Sequence, residues 1–227
     1  MRGVLLREGV GLLRRQRRGG AAHRAVDRNA SPHRLVDDPL NARMTVQHDA
    51  KRIMRVIGVD AGVAACGVGD VDFVEQQRRP CLLETIRTPP SDPLSTRLHT
   101  IWLRVGAIIA APGRPPATVM AIEAQARAQA GARERGTASY ESLAVRDVMG
   151  VLRALAWQHG LFLVEVEPAS WKSCFGLPVT ADKAQVQRAV RSLLGWTGRL
   201  SEHSADAAGI ALAGGRYFRS YAVAARK

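Results

Sequence analysis

The sequence predicts an α/β fold, a mixed five-stranded sheet flanked by helices, and three observations carry that reading. Five short apolar runs of β-type composition are spread along the chain; the first three follow one another with no helical pattern between them; the rest alternate with stretches of helical periodicity. A meander followed by strand–helix–strand units gives a sheet that is part antiparallel and part parallel.

The elements follow in order. Met54–Asp60 (MRVIGVD) is the first strand and ends in an acid, and after Gly62 a second run covers 66–74. A third strand spans 81–87, closed by Thr88, Pro89, Pro90 and Ser91. Leu94, Leu98, Ile101, Val105, Ile108 and Ile109 recur at helical spacing, so an amphipathic helix follows, stopped by Pro112, Pro115 and Pro116. Ala117–Glu123 (ATVMAIE) is a buried-type strand that again ends in an acid. A polar stretch at 124–139 leads to a helix near 140–158 and a strand at 161–166. A short helix at 168–174, a longer one at 181–194 and an Ala-rich one at 201–213 complete the pattern.

Composition narrows the class of partner. The 227 residues hold 33 Lys or Arg against 20 Asp or Glu, a net charge of +13, which points to nucleic acid ahead of an acidic membrane surface. With 46% hydrophobic residues the chain can bury a core, and no apolar run reaches the ~18 residues of a transmembrane helix. Three widely spaced cysteines, Cys66, Cys81 and Cys174, fit a reducing, cytoplasmic setting and form no CxxC zinc site. Of the basic residues 29 are Arg and only four are Lys: Lys51, Lys172, Lys183 and Lys227. An interior lysine is therefore an unusual choice.

Charge also divides the chain. Residues 1–52 carry twelve basic and five acidic side chains, with Arg runs and no sustained apolar periodicity, and read as a basic, largely disordered extension. A transit peptide, a nucleic-acid-binding arm and an upstream start codon, with initiation at Met44 or Met54, compete to explain it. The expected layout is this extension, a folded domain over 53–216, and a basic C-terminal tail over 217–227.

Two strands end in carboxylates, Asp60 and Glu123, and ligand sites in open α/β sheets gather at the carboxyl ends of strands. A third acid, Asp206, shares a helical face with His203, three residues earlier. Oxygen and imidazole donors of this kind suit Mg²⁺ or Mn²⁺, and two such ions roughly 4 Å apart can serve phosphodiester hydrolysis. Each residue alone has a plainer explanation: a turn for Asp60, a surface position for His203, a helix N-terminal dipole for Asp206. Glu123 is harder to dismiss, because it ends an apolar strand where an unpaired charge is costly.

Taken in order, these motifs resemble the RuvC family of Holliday-junction resolvases, within the RNase H-like fold. VIGVDAGVAACGVGDVD from Val56 is similar to the family's first hairpin, AIEAQ at 121–125 to its second acidic motif, ADKAQV at 181–186 to its Lys-bearing helix, and HSADAAGIALAGG at 203–215 to its final helix. The resemblance runs from about 55 to 215. It implies Asp60, Glu123, His203 and Asp206 as the metal-binding and catalytic set, Lys172 and Lys183 beside the scissile phosphate, two Mg²⁺ per site, a homodimer, and branched DNA as substrate in recombination and repair. Two positions depart from the family pattern. Ala61 stands where many relatives have Pro, and Ala126 stands where many have an aromatic that stacks on the junction. Arg127 or Tyr140 is the candidate to replace that contact, and Arg127 joins the two lysines as an expected DNA-binding residue.

Other classes fit less well. The turn after Asp60 is similar to the phosphate loop of actin-like ATPases but lacks hydroxyl residues, and the chain is short for two such domains. No DNA-recognition domain supports a transposase, and the Lys-bearing helix argues against RNase H itself. A non-catalytic branched-DNA-binding protein with the same fold is the alternative from a different class.

Overall fold

The central strand of the sheet is buried along almost its whole length. The computed structural model describes residues 53–124 and 140–225, with the backbone alone at 140–142. Strand β1 (Met54–Asp60) is buried from Met54 to Val59, because it has strands on both edges and helices on both faces. β2 (Ala65–Val74) and β3 (Gln77–Arg87) continue antiparallel on one side. On the other side β4 (Ala117–Glu123) and β5 (Phe162–Val166) run parallel to β1, giving the order β3-β2-β1-β4-β5. This is the five-stranded mixed sheet that the sequence predicts.

Parallel neighbours require crossovers, supplied by helix α1 (Leu94–Ile109) between β3 and β4 and by α2 (Tyr140–Gln158) between β4 and β5. Three more helices follow: α3 (Pro168–Ser173), α4 (Lys183–Leu194) and α5 (Glu202–Ala224). Alternation along the strands sorts the core into two layers. Ile57, Val59, Met120 and Ile122 pack with α1 and α2, whereas Val56, Val119, Ala121 and Val164 pack with α3, α4 and α5. The side chains of Asp60 and Glu123, each one residue past this pattern, fall on the α5 side.

Local sequence explains the helix starts. Asp182 caps α4 in a capping box with Gln185, and Ser201 caps α5 in the same way with Ser204. Gly195 ends α4 at φ 62°. α5 comes so close to the sheet that side chains there are excluded: a Cβ at Gly58 would sit 2.2 Å from the Ala207 carbonyl oxygen, and one at Gly67 2.0 Å from that of His203. The Ala and Gly content of 203–215 is thus a packing requirement.

Some boundaries differ from the sequence reading. β3 begins four residues earlier, at Gln77, because the turn after β2 is tight, with Glu75 at φ 52°. α5 does not stop near 213 but continues to Ala224, so most of the expected tail, Tyr217 onward, is helical; Phe218 is buried against Phe162 and holds these last turns on the sheet. Residues 1–52 lie outside the described residues. Among the described residues no helix is long and apolar enough to cross a membrane.

One buried cation ties the sheet to α1. Arg55, 1% exposed, donates from Nε and Nη2 to the Asp70 carboxylate on β2 and from Nη1 and Nη2 to the carbonyls of Ile109 and Ile108. Those carbonyls belong to the end of α1, where intrahelical partners run out. Arg114 adds bonds to Asp70 and Asp72, so both buried acids are neutralised.

Candidate active site

β1 and β4 pair in parallel as far as Val59 and Ile122, so the next residues, Asp60 and Glu123, end adjacent strands. Neighbouring strands lie about 4.8 Å apart, which sets two carboxylates side by side. The first turns of α5 cross above them. His203 Nδ1 lies 2.8 Å from Asp60 Oδ2, and facing a carboxylate it carries the proton and donates. Asp206, one turn further on, feels the charges of Asp60 and His203.

The electrostatics are those of crowded, partly buried acids. Burial raises the Glu123 pKa to about 7, with the negative charges of Asp60 and Asp206 adding to the rise. Burial and Asp60 raise Asp206 to about 6, and His203, Lys172 and Lys183 pull it back. His203 is raised chiefly by its bond to Asp60, against the opposing effect of burial. Two acids that resist ionisation beside a third mark a site with surplus negative charge, and a cation would relieve it.

The two lysines are held at its rim. Lys172, on α3, donates from Nζ to the carbonyls of Val179 and Ala181, 2.8 and 3.1 Å away, and its charge reaches both Glu123 and Asp206. Lys183, the first residue of α4, is paired with Glu202, and its ammonium lies within the field of Asp206 and Asp60. All six expected residues that are described thus gather at one place. Arg127, Ala126 and the side chain of Tyr140 lie outside the described residues.

Several contributors were not singled out in the sequence. Trp171, 3% exposed, turns its indole N–H toward Glu123 and lowers the Glu123 pKa, without a well-aligned hydrogen bond among the described residues. Glu202 holds Lys183, and Thr85 on β3 is hydrogen-bonded to Ser201, the cap of α5. Gly67 lets the His203 turn approach β2. A Trp beside one of only four lysines was the available signal for the first; the others depend on contacts distant in sequence.

The donor set suits a hard divalent cation: three carboxylates, one imidazole and an unsatisfied negative field. Among the described residues, no three His, Cys, Asp or Glu side chains already stand in a coordinating arrangement. The fit therefore rests on donor chemistry and charge.

A 3-2-1-4-5 mixed sheet with acids ending the first and fourth strands, and a further acid on the final helix, defines an RNase H-like protein. Comparison with known proteins sharpens this. The family described as crossover junction endodeoxyribonuclease RuvC matches residues 56–214, and the chain belongs to that family. It is 35% identical over 144 residues to the crossover junction endodeoxyribonuclease RuvC of Leifsonia xyli, a match covering 63% of this chain and 64% of that protein's length. It is 30% identical over 176 residues to the protein of the same description from Gloeobacter violaceus, covering 77% of this chain and 94% of the relative. The Thermus thermophilus RuvC structure superposes with a TM-score of 0.58 at 26% identity, covering 74% of this chain and 97% of that one. The same protein in complex with Holliday junction substrate superposes at 0.59, with 25% identity over 74% and 96% of the two chains. Members of this family are generally metal-dependent.

Proposed function

We propose that the protein is a metal-dependent, structure-specific endodeoxyribonuclease that cuts four-way and other branched DNA during recombination and repair in the cytoplasm. The observation that carries this reading is the convergence of Asp60, Glu123, Asp206 and His203 where β1, β4 and α5 meet. Asp60, Glu123 and Asp206, with His203, would hold two Mg²⁺ ions, with Mn²⁺ as a substitute. When bound, these ions supply activation of the attacking water and stabilisation of the leaving oxygen.

The chain's own groups do the rest. Asp60 fixes the orientation of His203 through Nδ1, leaving Nε2 to face the metal site. Lys172, held by two carbonyls, and Lys183 place ammonium charges beside the phosphate, offsetting its developing charge. A compact ammonium meets phosphate as a point charge, which explains Lys in a chain that otherwise favours Arg.

Paired nicks across a two-fold junction need two sites, and we infer a homodimer. Trp157 and Leu143 on α2, with Trp102 and Leu103 on α1, are exposed apolar side chains on two helices that pack together on one face of the sheet. A second copy of the chain covering this face accounts for all four. Trp157→Glu should shift the mass measured by light scattering from dimer to monomer.

The direct test is cleavage of a synthetic mobile four-way junction beside a fork, a flap and linear duplex, in Mg²⁺ and in EDTA. Cutting of the branched substrates only with the metal is expected. Well-folded protein that cuts none of them would overturn the reading in favour of a binding protein.

A further inference from the structure

Four arginines of the sheet, the first two helices and the turn before β4 are neutralised: Arg55 by Asp70, Arg104 by Glu84, Arg114 by Asp72 and Arg153 by Glu165. Several others are not, three of them around the β2–β3 hairpin. Arg78 at the β2–β3 hairpin and Arg216 and Arg219 on α5 form no ion pair among the described residues. They are nevertheless close together. Arg78 and Arg216 share a small pocket with Cys174, and Arg216 Nη1 lies 3.6 Å from the Cys174 sulfur. Arg219 stacks its guanidinium over Phe73, 5.2 Å from the ring centre, and its pKa is lowered by burial and by the charge of Arg78. Like charges gathered without an acid repel one another. Arg219 has a packing role on Phe73, whereas exposed Arg78 and Arg216 have none that the fold requires.

Beside Arg216 opens a cleft of about 350 Å³ between α3 and α5, lined also by Ser170, Ser173 and Ser220. Hydroxyls and a guanidinium are the groups that bind phosphate oxygens. The cleft adjoins the acidic site through one short helix. Lys172 of α3 acts on Glu123 and Asp206, while Ser170 and Ser173 of the same helix face the cleft. Arg216 lies ten residues along α5 from Asp206, about 15 Å, and Arg78 pairs with Phe73, six residues along β2 from the partner of Asp60, about 20 Å, which together span about four to six base-pair steps at ~3.4 Å each.

We propose that the groove formed by Arg78, Arg216 and the α3 serines is a second phosphate-binding track, holding the backbone of the DNA arm that leaves the active site, about four to six nucleotides from the cut bond. This rests on the nuclease reading for its register, but it is testable by binding alone.

The test uses the full chain in EDTA, with linear duplex, a long-armed junction and a junction whose arms are trimmed short of the cleft. In Arg78→Ala/Arg216→Ala, the slope of log affinity against log salt on long-armed DNA should fall by about 0.9 for each phosphate that the protein no longer neutralises. The trimmed junction should bind both proteins equally. Arg78→Lys/Arg216→Lys should keep the slope, since a point charge suffices, and it serves also if the alanine pair folds poorly. Cys174 supplies a second readout: bound duplex should slow its alkylation, while Cys81, beside Asp72 on β3, reacts as before.

An unchanged slope in the alanine pair, an equal loss on trimmed and long arms, or unprotected Cys174 would overturn the proposal. Absence of cutting by the wild type, with the slope change and protection intact, would instead overturn the nuclease reading and leave the track standing.

Discussion

Asp60 at the end of the central strand and His203 in the first turn of the last helix are joined by a 2.8 Å hydrogen bond, although 143 residues separate them. The bond sets the imidazole over the strand ends. Asp60→Asn keeps the shape and removes the charge, so junction binding should survive while Mg²⁺-dependent cutting falls by at least ~10²-fold. His203→Ala should lose activity on a similar scale. His203→Asp, which keeps a metal-binding group at the start of α5, should recover part of it. Single-turnover cleavage beside gel-shift binding separates the outcomes.

Acidification should stabilise the metal-free protein. Glu123 and Asp206 have raised pKa values, about 7 and about 6, so between those values and the unfolded ones the folded state binds more protons than the unfolded state. Stability then falls as pH rises. His203 has the same sign, because a raised histidine pKa stabilises below the unfolded value and loses that contribution as pH rises through the folded one. The melting temperature in EDTA should be higher at pH 5 than at pH 8, by an amount worth about 1–3 kcal/mol after allowing for partial exposure. Mg²⁺ should raise the value at pH 8 more than at pH 5, where protons compete for the same oxygens. Equal melting temperatures across this range in EDTA would mean that the acids carry no mutual strain.

Gly67→Ala should disable the site more than it destabilises the fold. The added carbon would meet the His203 backbone at 2.0 and 2.4 Å, forcing the first turn of α5 away from β2 and carrying His203 and Asp206 with it. Overpacking of this kind costs about 1–3 kcal/mol. Denaturant unfolding and cleavage on the same preparation would show a small stability loss beside a large activity loss.

Arg55→Met should destabilise strongly and leave the chemistry of surviving folded protein intact. It removes the main cation from Asp70, leaving only the longer bond to Arg114, and takes the donors from the α1 carbonyls; breaking a buried pair by removing one partner costs about 3–5 kcal/mol. Arg55→Met combined with Asp70→Asn should recover part of the loss. Equilibrium unfolding of the four proteins in the cycle measures the coupling.

What could be read in the sequence was whatever repeats at short range or stands in a short motif. Alternation in β1 and β4 and the periodicity of α1 gave the elements, and acids closing two apolar strands, with the pattern from His203 to Asp206, gave the site. The end of α5 was not legible, because Phe218 and Tyr221 hold those turns by packing on Phe162, far away in sequence. Lys183 illustrates the same limit: its place beside the acids was expected from its motif, whereas its partner Glu202 belongs to another helix.

The sequence by itself determined the order of strands and helices, the residue types of the site and the family, because each is written in spacings of a few residues. Only the tertiary structure decided that Trp171 faces Glu123, that Gly58 and Gly67 admit α5 against the sheet, and that Arg78 and Arg216 meet beside Cys174. Those relationships arise where elements distant in the chain pack together, and close packing is set by the shapes of both partners at once. No local pattern encodes it.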